Sequence, residues 1–146
     1  MANQVKFRFY EEILSESQAS VFNGNLRRAV LELAIACELA TKQSFFGEAS
    51  RAGLAFEYLE DKGRVNVKVL DLITGVAVQV IGQSFKDFDK NAYIDIDHLF
   101  RCRNKVAHRG EPKFKDDTGK EYEISEEILQ RWWDSAEKLF RWLDSF

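Results

Sequence analysis

Leu26-Arg27-Arg28-Ala29-Val30-Leu31-Glu32-Leu33-Ala34-Ile35-Ala36-Cys37-Glu38-Leu39-Ala40 is the most apolar stretch of this chain, and its reading decides the fold class. Leu26, Val30, Leu33, Cys37 and Ala40 fall on one stripe at helical spacing, and Leu31, Ile35 and Leu39 on a neighbouring one. Glu32 and Glu38 are the only charges between Val30 and Ala40. A helix that is apolar over most of its circumference belongs inside a bundle rather than on its surface. The spacing predicts a helix from Leu26 to about Phe46. Gly47 ends it, and Asn23-Gly24-Asn25 closes the preceding helix and caps this one.

Working outward, the pattern stays helical nearly throughout. A first helix is predicted over Asn3 to Phe22, and a short amphipathic one over Ala49 to Leu59. Val65 to Phe85 carries a strand-like alternation at Val65, Val67 and Val69. It also has a helical recurrence at Leu70, Ile73, Ala77, Val80 and Ser84, and its length without proline favours helix. Ile94 to His108 reads as helix with an inner face through Ile94, His98 or Leu99, Cys102 and Val106, stopped by Gly110 and Pro112. Phe114 to Tyr122 reads as a small hairpin turning at Asp117-Thr118-Gly119. Ser125 caps a last helix with Glu126 and Glu127 in its first turn. That helix has a core stripe of Trp132, Ala136, Leu139 or Phe140, and Leu143, which leaves Trp133 and Trp142 off it as markers of a dimer face. The expected fold is all-α. It is a single domain over 1–146, an antiparallel bundle of four to six helices with a small hairpin-like excursion before the last.

Composition narrows the function classes. With 45% apolar residues and twelve Phe, the chain can build a substantial core. A formal net charge of −3 argues against a nucleic-acid coat protein, though a local basic patch can still bind phosphate. Cys37 and Cys102 form no spacing motif and read as reduced core thiols of a cytoplasmic protein. Lys6 and Arg8 interrupt any secretory core at the start. The longest uncharged run, Leu72 to Phe85, holds 14 residues and two glycines, too short to span a bilayer. No membrane association, metal or cofactor is expected.

One segment concentrates charge: Arg101-Cys102-Arg103-Asn104-Lys105-Val106-Ala107-His108-Arg109-Gly110. Four fixed cations and one imidazole crowd a helix end. Asn104 and His108 are four apart and share a helix face. Arg103 lies about 140° around an ideal helix from His108. For both to reach one phosphate, the helix must loosen at its end or the guanidinium must reach around, and Gly110 with Pro112 favours loosening.

Arg103-Asn104-Lys105-Val106-Ala107-His108, together with the apolar helix carrying Glu32, resembles the HEPN superfamily. These are small all-helical domains of bacterial defence, toxin–antitoxin and related systems, marked by Arg-x4–6-His at the end of a late helix. Arg103 matches the arginine, Asn104 the polar residue that often follows it, and His108 the histidine. A toxin subgroup extends the motif to Arg-x4-His-x-Tyr, with the tyrosine modified by an antitoxin. Here that position is Gly110, and that regulation does not carry over. The resemblance implies metal-independent RNA cleavage in which the ribose 2′-OH attacks the neighbouring phosphorus and leaves a 2′,3′-cyclic phosphate.

His108 suits proton transfer, because an unperturbed imidazole titrates near pH ~6.5. Arg103 suits the transition-state charge, since guanidinium grips phosphate bidentately. Asn104 could orient the histidine or donate to phosphate. Arg101, Lys105 and Arg109 would gather phosphate rather than react. One histidine serves poorly as both acid and base, and His98 lies about 15 Å along the axis from His108. Two copies of His108 meeting across a two-fold axis would solve this, which favours a homodimer. The partners implied are RNA, a second copy and a protein antitoxin or defence component.

Plainer readings stand beside these. His108 can simply sit at a helix C-terminus, where a cation is favourable. Arg103 can serve a structural salt bridge. Glu32 can pin Arg103 or Arg101, or face solvent or a structural arginine. Asp95, His98 and Cys102 share a spacing compatible with a metal, but no fourth ligand is visible. The alternative function is a non-catalytic HEPN-like module that binds RNA, a nucleotide or a protein partner.

Overall fold

The computed structural model describes residues 9–46 and 68–146. Within them the chain is an all-α bundle with one two-stranded hairpin. Helix α1 is Phe9–Phe22 and α2 is Leu26–Phe46. Helix α3 comprises Val69–Asp71, a π-helical turn Leu72–Val76, and Ala77–Ile81. Helix α4 is Phe85–Phe88 and α5 is Lys90–Arg109. Strands β1 (Lys113–Lys115) and β2 (Glu121–Glu123) follow, and α6, Glu126–Asp144, closes the chain.

Helix α2 spans the residues its periodicity predicts. Its start is fixed by the Asn25 side chain, which accepts from Arg28 N at 3.1 Å. Gly24, with φ +77°, takes the left-handed turn that ends α1. Asn25 N bonds Ser20 O at 2.8 Å and Gly24 N bonds Val21 O at 2.9 Å, so α1 and α2 are antiparallel neighbours across a tight corner. Ala29, Val30, Leu33, Ala36 and Cys37 are fully buried, and α2 packs against α1, α3, α5 and α6. Ile35 is the exception and is exposed.

The other elements adjust the sequence reading in particular ways. The predicted helix over Ala49–Leu59, and the N-terminal part of the first helix, lie outside the described residues. The helix predicted to run to Phe85 stops at Ile81, because Gly82 adopts φ +80° and Ser84 caps a new helix by accepting from Asp87 N. Thr74 Oγ donates to Leu70 O at 2.6 Å within the π-helical stretch, a local competitor for a ladder carbonyl. Helix α5 begins four residues earlier than predicted. Asp89 accepts from Ala92 N at 3.0 Å, which starts the helix at Lys90. Its buried face runs through Ala92, Asp95, Ile96, Leu99, Cys102 and Val106, while Ile94 turns outward.

Trp133 and Trp142 do not mark a free face. Both are buried within this one chain, because α6 is packed from several sides. Trp133 Nε1 donates to Ser17 Oγ at 3.1 Å, and that hydroxyl in turn donates to Ala29 O at 2.7 Å. Trp142 packs on Phe85 and Phe146, with ring centroids 5.3 and 5.0 Å away. Buried Asp95 accepts from Arg131 Nε at 3.1 Å and from Ser135 Oγ at 2.7 Å, which ties α5 to α6. Among the described residues no helix is long and apolar enough to cross a membrane.

The hairpin forms as predicted, with Lys113 opposite Glu123, Phe114 opposite Tyr122 and Lys115 opposite Glu121. Its turn is organised by Asp116, whose carboxylate accepts from Thr118 N, Thr118 Oγ and Lys120 N, while Gly119 supplies φ +85°. Phe114 is 2% exposed and plugs the space between helices. Its ring lies 5.0 Å from His98, 5.3 Å from Tyr122 and 5.2 Å from Trp132.

Magnitudes decide what fastens the hairpin. Truncating a buried Phe costs about 3–5 kcal/mol, whereas an exposed ion pair contributes about 0–1 kcal/mol. Phe114→Ala should therefore lower stability by about 3 kcal/mol or more, and Asp117→Ala by no more than about 1 kcal/mol, both read by urea unfolding. The hydrogen bonds from Thr118 hold the Asp116 carboxyl below its usual range, helped by Lys120 and Tyr122. A depressed carboxyl stabilises the fold above its unfolded value and loses that contribution as pH falls through the folded one. The protection factors of the Thr118 and Lys120 amides, taken relative to intrinsic exchange at each pH, should fall on acidification below about pH 4, and Asp116→Asn should abolish that acid dependence.

Candidate functional site

The basic segment occupies the C-terminal half of α5. That helix keeps its α geometry through Arg109 and ends at Gly110, where φ is +67°. Gly110 N bonds Val106 O at 2.9 Å and Glu111 N reaches Lys105 O at 3.4 Å, a left-handed close that satisfies the last carbonyls. The loosening expected before the motif's end does not occur, because these bonds complete the ladder instead of opening it. Arg103 and His108 consequently remain about 140° apart around the axis.

The Arg103 side chain makes one contact within the helix. Arg103 Nη1 donates to Asn104 Oδ1 at 3.2 Å, so the guanidinium bends towards the residue that shares His108's face. Arg103 is half-buried, while Asn104, His108 and Arg109 are exposed. Among the described residues, the side chains of His108 and Arg109 make no hydrogen bond or ion pair. They are available to an incoming anion.

The other predicted phosphate ligands are placed differently. Arg101 Nη2 lies 2.6 Å from Asp117 and 3.0 Å from Asp97, and Nη1 donates to Lys115 O at 3.1 Å. The hydrogen bond to Asp117 raises the Arg101 guanidinium further above its ordinary range, and the charge of Asp97 adds to this. Lys105 Nζ sits 3.4 Å from Glu121. Arg101 and Lys105 thus hold the hairpin to α5; one and two turns along the helix they share the side that carries Asn104 and His108, so the hairpin acids flank that side.

Glu32 pairs with neither Arg101 nor Arg103. It accepts from Ser20 Oγ and faces Arg28 at 3.5 Å, one turn back on its own helix. This is its structural role: joining α1 to α2 keeps a buried carboxylate hydrogen-bonded. His98 stacks on Phe114 and is directed into the hairpin junction. Asp95 is committed to α6, so the Asp95, His98 and Cys102 spacing brings no ligand set together.

Two residues that sequence reading passed over lie at this end of the bundle. Arg27 Nη1 donates to Gly110 O at 3.3 Å, which draws the start of α2 against the end of α5. Arg28 lies beside it. The available signal was two arginines in a first helical turn that holds no acidic residue, the reverse of the preference set by the helix dipole. A shallow open cleft of about 330 Å³ borders the same corner, lined by Arg27, Gly110, Glu111, Pro112, Lys113 and Glu123. Lys113 there is paired with Glu111 and Glu121, so this cleft is of mixed charge.

Neither cysteine can serve as a nucleophile here. Burial pushes the Cys102 thiol up to about 12, only partly offset by Lys105, and burial raises Cys37 as well. Thiolate is the reactive form, so both are inert in the folded state. A thiol-specific disulfide reagent at pH ~8, below the ordinary thiol value of about 8.5, should label neither cysteine in the native protein and both in urea. No protein-family model, curated protein or solved structure matches this chain.

Proposed function

We propose that this protein is a HEPN-type, metal-independent endoribonuclease that works as a homodimer in a bacterial defence or toxin system. The observation that carries the reading is the Arg103 to Asn104 hydrogen bond, which brings a guanidinium round the helix towards the exposed face of His108. On this reading a cation, an amide and an imidazole on an exposed helix end act together on one phosphate.

The chemistry needs nothing beyond the substrate. A ribose 2′-oxygen attacks the adjacent phosphorus while a base removes its proton. The bond from phosphorus to the 5′ oxygen breaks, and an acid protonates that leaving oxygen. Products are a 2′,3′-cyclic phosphate and a free 5′-hydroxyl. His108 is the proton carrier. Arg103 neutralises the pentacoordinate phosphorane, where its charge is worth more than in the ground state. Asn104 fixes Arg103 and donates its amide N–H to phosphate.

A single imidazole leaves the acid or the base unfilled. A second subunit, with its own His108 approaching the same linkage from the other side, supplies the missing group. RNA lies between the two motif helices, and its phosphates neutralise cations that would otherwise repel. A protein antitoxin or defence component belongs to the same proposal.

The presence of a single imidazole in the motif also favours a second reading, a non-catalytic module that binds RNA or nucleotide phosphate through Arg103 and Arg109. The two separate cleanly. RNA incubated with wild type in EDTA should be cleaved to cyclic-phosphate ends, with Arg103→Ala and His108→Ala each slowing the rate by at least about 100-fold. Equal cleavage by both variants would remove this site from the reaction. Salt-sensitive binding without turnover by wild type would establish the binding module instead.

A further inference from the structure

Phe22 is the last residue of α1 and is 92% exposed, the most exposed large apolar side chain among the described residues. Its neighbours in the helix, Ser20 and Val21, are buried. The corner that follows is tight and well hydrogen-bonded, so the ring stands out from an ordered backbone. Arg27 and Arg28 follow within two helical turns' length of chain, and Arg27 is bonded to Gly110 at the end of α5. The α1–α2 corner and the motif end of α5 are therefore one end of the bundle. That end carries the uncovered Phe22 ring together with Arg27, His108 and Arg109, and Arg28, which faces Glu32 at 3.5 Å.

Aromatic rings flanked by cations suit a flexible polyanion whose repeating unit has a flat apolar face. A second copy of this corner set directly against it would meet like charge at three arginines. A single-stranded nucleic acid meets them with opposite charge and offers bases to stack. We propose that Phe22 is a base-stacking platform for single-stranded RNA, with Arg27 and Arg28 guiding the adjoining phosphates towards His108. This deepens the ribonuclease reading by assigning a nucleobase subsite away from the scissile bond, and it makes the preferred substrate unpaired RNA.

The test uses the full chain and a fluorescein-labelled 2′-O-methyl oligoribonucleotide of about twelve residues, which lacks the attacking hydroxyl. A matching oligomer with abasic sites is the control. In fluorescence anisotropy, Phe22→Ala should weaken binding of the base-carrying oligomer at least about fivefold, and Phe22→Trp should retain it. The abasic oligomer should bind wild type and Phe22→Ala alike. Unchanged affinity of Phe22→Ala for the base-carrying oligomer overturns the proposal, as does failure of wild type to bind it. A shift in sedimentation of Phe22→Ala with RNA affinity intact also overturns it, because the ring then meets a second copy. Phe22-dependent binding without cleavage of ordinary RNA supports the stacking subsite while removing the ribonuclease reading. Cleavage without Phe22 dependence does the reverse.

Discussion

Helix α2 has to be surrounded. Its apolar residues occupy too much of its circumference for one neighbour to cover, and the fold is the arrangement that covers them. Helices α1, α3, α5 and α6 all pack on it. Polar groups at these contacts are few, and most are paired, the buried indole N–H groups of Trp132 and Trp142 being exceptions. Ser17 links the α2 backbone to Trp133, and Glu32 is tied to Ser20 and Arg28. Each bond satisfies a group whose burial alone would be unfavourable. The placement of α5 against α2 follows from this packing, and with it the position of the basic segment.

The hairpin is the second determinant of that segment's character. Phe114 supplies the attachment through burial beside His98, Tyr122 and Trp132, and the surface ion pairs follow from that docking rather than cause it. Once docked, the hairpin brings Asp117 and Glu121 to Arg101 and Lys105. A cluster that looks uniformly cationic in sequence is thereby divided. Two of its cations face hairpin acids, and Arg103, His108 and Arg109 remain for other partners. This reconciles a net-negative chain with an open basic corner.

What the sequence made legible is what local physics controls. Helix α2 and the cap at Ser125 follow from periodicity and N-cap chemistry, as the Ser125 side chain accepting from Ile128 N bears out. The hairpin turn follows from Asp117-Thr118-Gly119, while the bonds that the Asp116 carboxylate accepts show only in the structure. What stayed hidden depends on which elements meet. Trp133 and Trp142 lie off the obvious stripe of α6, yet a helix packed from several sides buries a wide arc, and no spacing rule states its width. Glu32 had several conceivable partners, and only the α1–α2 contact selects Ser20. Arg27 gives no motif signal, because its importance arises from proximity to Gly110, 83 residues away in sequence.

The end of α5 shows how a small backbone choice governs a site. Gly110 closes the helix in the left-handed region that other residues avoid, and the ladder stays intact to Arg109. An intact ladder fixes Arg103 and His108 on different sides of the helix, so the proposed reaction requires side-chain reach to bring both to one phosphate. Arginine has that reach, and lysine's compact ammonium lacks the planar fork needed to hold an amide oxygen while offering further donors to phosphate. The Arg103 to Asn104 hydrogen bond is exposed and neutral on its acceptor side, so it is weak enough to exchange for a phosphate oxygen. The guanidinium is held by this bond without being locked, as the proposed phosphate-binding role requires.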